Sequence, residues 1–95
     1  MNKRDLKLEK YGISKERYRE LYYFCMQYEE KKEKGKKADC ELIEEAAKGV
    51  GEWIAPYIIK NVTEGIPFEH MPVPCGRNQF YEKRKEFFCK LSLVR

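Results

Sequence analysis

Histidine is nearly missing from this chain: His70 stands alone among 95 residues. One imidazole, with no second to share a metal or a proton, leaves little for acid–base catalysis. Prolines separate it from Cys75, the only cysteine within local reach. Gly49 and Gly51 lack the rest of any phosphate-cradling loop. No run approaches the roughly 18–20 apolar residues of a membrane helix. The opening MNKRDLKLEKYG has no apolar stretch of the secretory kind. Cys25, Cys40, Cys75 and Cys89 form no C-x-x-C pair and fit no common zinc spacing. They read as reduced, partly buried thiols. No catalytic residue, metal, cofactor or membrane contact is therefore expected, and the expected location is the cytoplasm.

Charge and aromatics are what the chain does have. A length of 95 residues fits one domain with a modest core. The charged share is high at 38%, but 42% hydrophobic and 14% aromatic residues argue against wholesale disorder. The net charge of +4 hides a division. Residues 1–37 carry 12 Lys/Arg against 7 Asp/Glu, residues 38–75 carry 2 against 7, and residues 76–95 carry 6 against 2. Basic ends thus flank an acidic middle. Such segregation offers a basic surface to nucleic acid and an acidic one to a protein, or the two neutralise each other in the fold.

Helical periodicity dominates. Residues 3–11 suggest a short amphipathic helix with Leu6, Leu8 and Tyr11 inward, ended by Gly12. Ser14 is a good N-cap for a helix whose stripe is Tyr18, Leu21, Tyr22, Cys25 and Tyr28. Glu29–Lys37, EEKKEKGKK, reads as a frayed end and exposed linker. Asp39 can cap the next helix, with Leu42, Ile43, Ala46 and Ala47 inward. After Gly49-Val50-Gly51 another helix starts near Glu52 or Trp53, carries Ile54, Tyr57, Ile58 and Val62, and closes at Gly65. Pro67–Met71 suits a short helix. Pro72-Val73-Pro74 then breaks it before a helix from Arg77 to about Leu91. The expected architecture is an all-α single domain, residues 1–95. Its N-terminal part is the aromatic helix and basic linker, 1–37. The rest, 38–95, contains a helix-turn-helix-like unit over 54–91.

The last helix carries the sharpest functional expectation. Phe80, Arg84, Phe87 and Leu91 share one face, flanked by Tyr81 and Phe88, and that face must pack. Arg84 on it is unusual; it either bridges Glu64 or Glu69, or marks the edge of the face. The first turn offers Arg77, Asn78 and Gln79, side chains suited to base edges in double-stranded DNA. Lys83, Lys85 and Lys90 would hold phosphates. Glu82 and Glu86 lie on the same surface and oppose phosphate.

The segment YIIKNVTEGIPFEHMPVPCGRNQFYEKRKEFFCKL resembles the C-terminal half of small proteins of phages and prophages of Gram-positive bacteria. In those, Y-I-x-x-x-V-T-E-G-[IL]-x-[FY] precedes P-C-G-R-x-x-[FY]-Y-x-x-[RK]-x-x-F-F. Their N-terminal I-S-x-x-[RK]-Y-x-E-L-x-[YH]-F-C is seen here as Ile13 through Cys25. More distantly the chain is similar to late-gene activators of the ArpU/RinA type and to the last region of sigma factors. The resemblance implies base contacts near Arg77, Asn78 and Gln79, with Phe80, Tyr81, Phe87 and Phe88 as core. A proline-rich turn and a shortened second helix depart from that pattern.

The expectation is thus a non-catalytic, phage-type DNA-binding protein in transcriptional regulation. The alternative is a non-catalytic phage protein that binds and inhibits or recruits a host protein, such as a defence nuclease or polymerase. Tyr23, Phe24 and Trp53 would then be anchors, and Glu44 and Glu45, within the acidic middle, would mimic nucleic-acid charge. A homodimer serves either reading.

Overall fold

The computed structural model describes residues 12–95, so the helix expected over residues 3–11 lies outside the described residues. Five α-helices make up most of what is described, with no strand among those residues. They are α1 (Lys15–Met26), α2 (Tyr28–Glu33), α3 (Lys37–Val50), α4 (Ala55–Glu64) and α5 (Arg77–Val94). A 3-10 turn, Phe68–His70, lies between α4 and α5. The protein is an all-α bundle. α3 packs against α5, α4 and α2, and α1 crosses α4 and α5.

α1 starts as its sequence requires. Ser14 accepts from the Arg17 amide at 3.1 Å, satisfying one orphan donor. Leu21, Phe24 and Cys25 are the buried residues of α1. At Gln27 the helix breaks, and the Gln27 amide bonds back to Phe24 O. The chain then re-enters a helix instead of fraying. Glu29–Glu33 is therefore helical, and only the Lys34–Lys36 stretch is a turn, with Gly35 at a φ of 76°. The cause is tertiary. Tyr28 is buried and its hydroxyl donates to Glu44 at 3.1 Å, while Lys31 sits 3.9 Å from the Phe24 ring centroid.

α3 begins at Lys37, so Asp39 is inside the first turn and is not its cap. The Asp39 carboxylate instead pairs with Lys31 at 3.2 Å. Cys40, Ile43, Ala46 and Ala47 form its buried stripe. In α4, Pro56 occupies the first turn, where its missing amide is harmless, and Ile58, Asn61 and Val62 turn inward. Gly65 closes α4 in the left-handed region at φ 72°, its amide reaching Asn61 O at 3.1 Å.

The helix expected over Pro67–Met71 is only the 3-10 turn. Pro67 holds extended geometry before it, and Pro72 disfavours helix at Met71, which is extended. No second α-helix therefore stands between α4 and α5. α5 runs to Val94, beyond the expected Leu91. Phe80, Phe87, Phe88 and Leu91 on its inner face are fully buried.

Candidate functional site

Gly76 enters α5 in extended geometry, at φ −73° and ψ 161°, and no side chain caps the first amides. The first turn contains no acidic residue. Arg77, Asn78 and Gln79 are all exposed. Phe80 sits beneath them, fully buried, with its ring 5.5 Å from Phe68 and 5.4 Å from Tyr81. The 3-10 turn thus braces the start of α5 where a second helix was expected. Arg77 lies 3.3 Å from Glu69 and 5.5 Å from the Tyr81 ring centroid. Both partners of that ion pair are exposed, so it is worth about 0–1 kcal/mol and leaves the guanidinium available.

The three lysines assigned to phosphate stand differently. Lys83 is half-buried and 3.8 Å from Glu86. Lys85 is 6% exposed, and its amine donates to Glu82 at 3.0 Å. Lys85 is thus among the buried residues of α5, on the side that the neighbouring helices cover. Lys90 is exposed, but its stem crosses Gly49, where an added Cβ would stand 3.1 Å from Lys90 Cδ. That places a cation at the last turn of α3, where the helix dipole favours it. Lys83 and Lys90 share the outer face with Glu82 and Glu86, so that face is charge-balanced rather than basic.

The residues read as protein anchors also divide. Tyr23 is 66% and Trp53 46% exposed. Phe24 is buried, which corrects its reading as an exposed anchor. It lies on the buried side of α1 with Leu21 and Cys25, and Lys31 and Arg95 stand 3.9 and 4.6 Å from its ring centroid. Glu44 is half-buried beneath the Tyr28 hydroxyl, and Glu45 is exposed. Burial, then the Glu44 carboxylate, pushes the Tyr28 phenol up to about 12. Sequence reasoning missed Met26, 56% exposed, which joins Tyr18, Arg19, Tyr22 and Tyr23 around an apolar groove on α1. The i, i+3, i+4 spacing of these residues is the signal that could have found it.

Arg84 meets neither Glu64 nor Glu69. It bonds Asn61 at 2.7 Å and the Tyr18 hydroxyl at 3.2 Å, with the Tyr22 and Phe88 rings against its guanidinium. Cys25 is buried beside it. Desolvation pushes that thiol up to about 12, against the opposing pull of Arg84. Burial also raises Cys40, Cys75 and Cys89, so none of the four is poised as a thiolate. Among the described residues no three His, Cys, Asp or Glu side chains gather as a metal site. No described helix is long and apolar enough to cross a membrane.

No protein-family model, curated protein or solved structure matches this chain.

Proposed function

We propose that the protein is a phage-type DNA-binding protein acting in transcriptional regulation, and that it reads DNA with the first turn of α5. The observation that supports this most is the open start of that helix. Arg77, Asn78 and Gln79 project from uncapped amides with no carboxylate in the same turn, over a ring anchored at Phe80. Such a turn suits a groove: the side chains match base edges and the amides face phosphate. The phage kinship rests on the P-C-G-R-x-x-F-Y motif. With no second helix before it, α5 would be held by α3, α1 and the 3-10 turn.

The test is a titration of the reduced protein against a pool of duplex DNA at two salt concentrations. Salt-sensitive binding that enriches a sequence subset is expected. Arg77→Ala and Asn78→Ala should each flatten that preference, by about 1–3 kcal/mol for every base pair the side chain reads. Variants that select the same sequences as the parent would remove α5 as the reader. No binding at low salt would remove DNA as the ligand.

The α1 groove favours a second reading, a non-catalytic module that docks on a host protein. Tyr, Met and Arg are the residue types enriched in interface centres, and here they line one groove. Tyr23→Ser with Met26→Ser should leave folding intact and abolish capture of such a partner. DNA selection unaffected by this pair, and destroyed by Arg77→Ala, would favour the first reading.

A further inference from the structure

If α5 supplies the base contacts, its lysines do not supply the phosphate contacts in any number. Lys85 is buried on Glu82, Lys83 leans on Glu86, and Lys90 lies across Gly49. Duplex DNA carries one charge per about 1.7 Å of axis, and a protein that grips it must offer free cations elsewhere. The chain's densest run of cations is KKEKGKK, Lys31–Lys37, with five lysines and one glutamate.

The fold turns that run into a ridge. α2 ends at Glu33, Gly35 reverses the chain in the left-handed region at φ 76°, and α3 starts at Lys37. Within it the lysines are sorted by partner. Lys31 is fixed by Asp39 and by the Phe24 ring. Lys34 pairs with Glu30 at 2.8 Å, but both side chains are more than half exposed, so that pair yields readily. Lys32, Lys36 and Lys37 are exposed and enter no ion pair among the described residues. Arg95 is held at the same end of the molecule, since it shares the Phe24 ring with Lys31. The acidic neighbours are Glu30 and Asp39, each paired with a lysine of the run, and Glu29 and Glu33, both exposed on α2.

We propose that this lysine ridge between α2 and α3 is the surface that holds the phosphate backbone of duplex DNA. The proposal rests on the DNA-binding reading and assigns its sequence-independent part to a different element from its sequence-reading part. The ridge is built for that division. Its side chains are long and exposed, which suits a contact without sequence preference. Its backbone is fixed at both ends by Tyr28 and Cys40, which are buried.

The full chain is tested by fluorescence anisotropy on a random-sequence duplex across a salt series. The triple variant Lys32→Gln, Lys36→Gln, Lys37→Gln is expected to weaken binding at least about tenfold near 0.1 M salt. Its log–log salt slope should fall in magnitude by about 2–3, close to 0.9 for each phosphate no longer neutralised. Glu33→Gln should tighten binding. Circular dichroism and the melting temperature check that each variant folds. Unchanged affinity and slope in the triple variant would overturn the ridge while leaving the α5 reading standing. A larger change in slope from Lys83→Gln than from the triple variant would overturn it too, returning the phosphate contact to α5. Failure of the parent chain to bind any duplex at low salt would overturn both readings. So would binding only to vesicles containing anionic lipid.

Discussion

Arg84 Nε donates to Asn61 Oδ1 at 2.7 Å in the buried centre of the protein, so a charged side chain is held there by an amide and not by a carboxylate. The hydrogen bonds run on from both residues. Asn61 passes its own amine to Ile66 O at 3.0 Å, and Arg84 also donates to Tyr18. No buried side-chain nitrogen or oxygen among the described residues lacks a partner. The charge is offset by aromatic faces, with the Phe88 and Tyr22 centroids 5.0 and 5.4 Å from the guanidinium. One network therefore joins α1, α4, α5 and the segment after α4.

Asn61→Leu should destabilise the fold by about 2–3 kcal/mol, because it strands a buried guanidinium N–H and the Ile66 carbonyl. Arg84→Met should cost less, since methionine keeps most of the stem packing and removes the buried charge. Urea unfolding midpoints give the comparison. Arg84→Met more damaging than Asn61→Leu would show that the cation itself, through its rings, is the larger stabiliser.

Alkaline pH should unfold the protein through two buried acids. Cys25 moves from an ordinary 9.0 to about 12 and Tyr28 from 10.0 to about 12, in both cases chiefly through burial. Each group is neutral in the fold and ionises more easily in the unfolded chain. Their contribution is whole below about pH 9 and is lost as pH rises toward 12. Melting temperature should thus decline from about pH 9 upward. Tyr28→Phe should lower stability at neutral pH, by removing the bond to Glu44, and flatten the decline above pH 10. A decline as steep in Tyr28→Phe, Cys25→Ala as in the parent would assign it to other groups.

The helical stripes are legible in the sequence because they are local. Leu21, Cys25, Tyr28 and Phe80, Phe87, Leu91 repeat every three to four residues or a multiple of that, and the period needs no knowledge of neighbours. Lys83 and Lys85 show where local reading stops. They flank Arg84 symmetrically in sequence, and only the positions of the packed helices decide that Lys85 is the one covered. The same holds for Glu29–Glu33. Its composition is that of a solvated linker, yet burial of Tyr28 and the seat of Lys31 on Phe24 keep it helical. The short helix read over Pro67–Met71 is a 3-10 turn instead, since Pro67 and Pro72 leave room for a single turn. Of the site residues, Arg77, Asn78 and Gln79 are where a helix start would put them, whereas Phe24 is not where an exposed anchor would be.

Two glycines should respond to alanine in opposite directions. Gly49 lies within α3, where glycine costs about 1 kcal/mol relative to alanine. A Cβ there meets only the flexible stem of Lys90, at 3.1 Å, which can shift aside. Gly49→Ala should therefore raise stability by about 0.5–1 kcal/mol. Gly65 has open space around it but a φ of 72°, so Gly65→Ala should cost about 1–2 kcal/mol from the backbone alone. Thermal melts of the two variants decide it. A loss of stability in Gly49→Ala would mean that the Lys90 contact at the end of α3 is worth more than the helix propensity gained.

Lys83 and Lys85 should separate stability from binding. Lys85 is covered along its stem and bonded to Glu82 at 3.0 Å, so Lys85→Ala removes packing and leaves Glu82 with a partner fewer. The expected cost is about 1–2 kcal/mol of folding stability. Lys85→Met keeps the stem and should recover most of it. Lys83 is less covered and its pair with Glu86, at 3.8 Å, is long, so Lys83→Ala should change stability by no more than about 0.5 kcal/mol. On DNA the order should not follow stability. Once the measurement is confined to temperatures where all three variants are folded, Lys85→Met should bind like the parent, because the Lys85 amine that it removes is bonded to Glu82. A drop in DNA affinity for folded Lys85→Met would mean that this amine leaves Glu82 to reach a phosphate, and α5 would then supply a phosphate contact of its own.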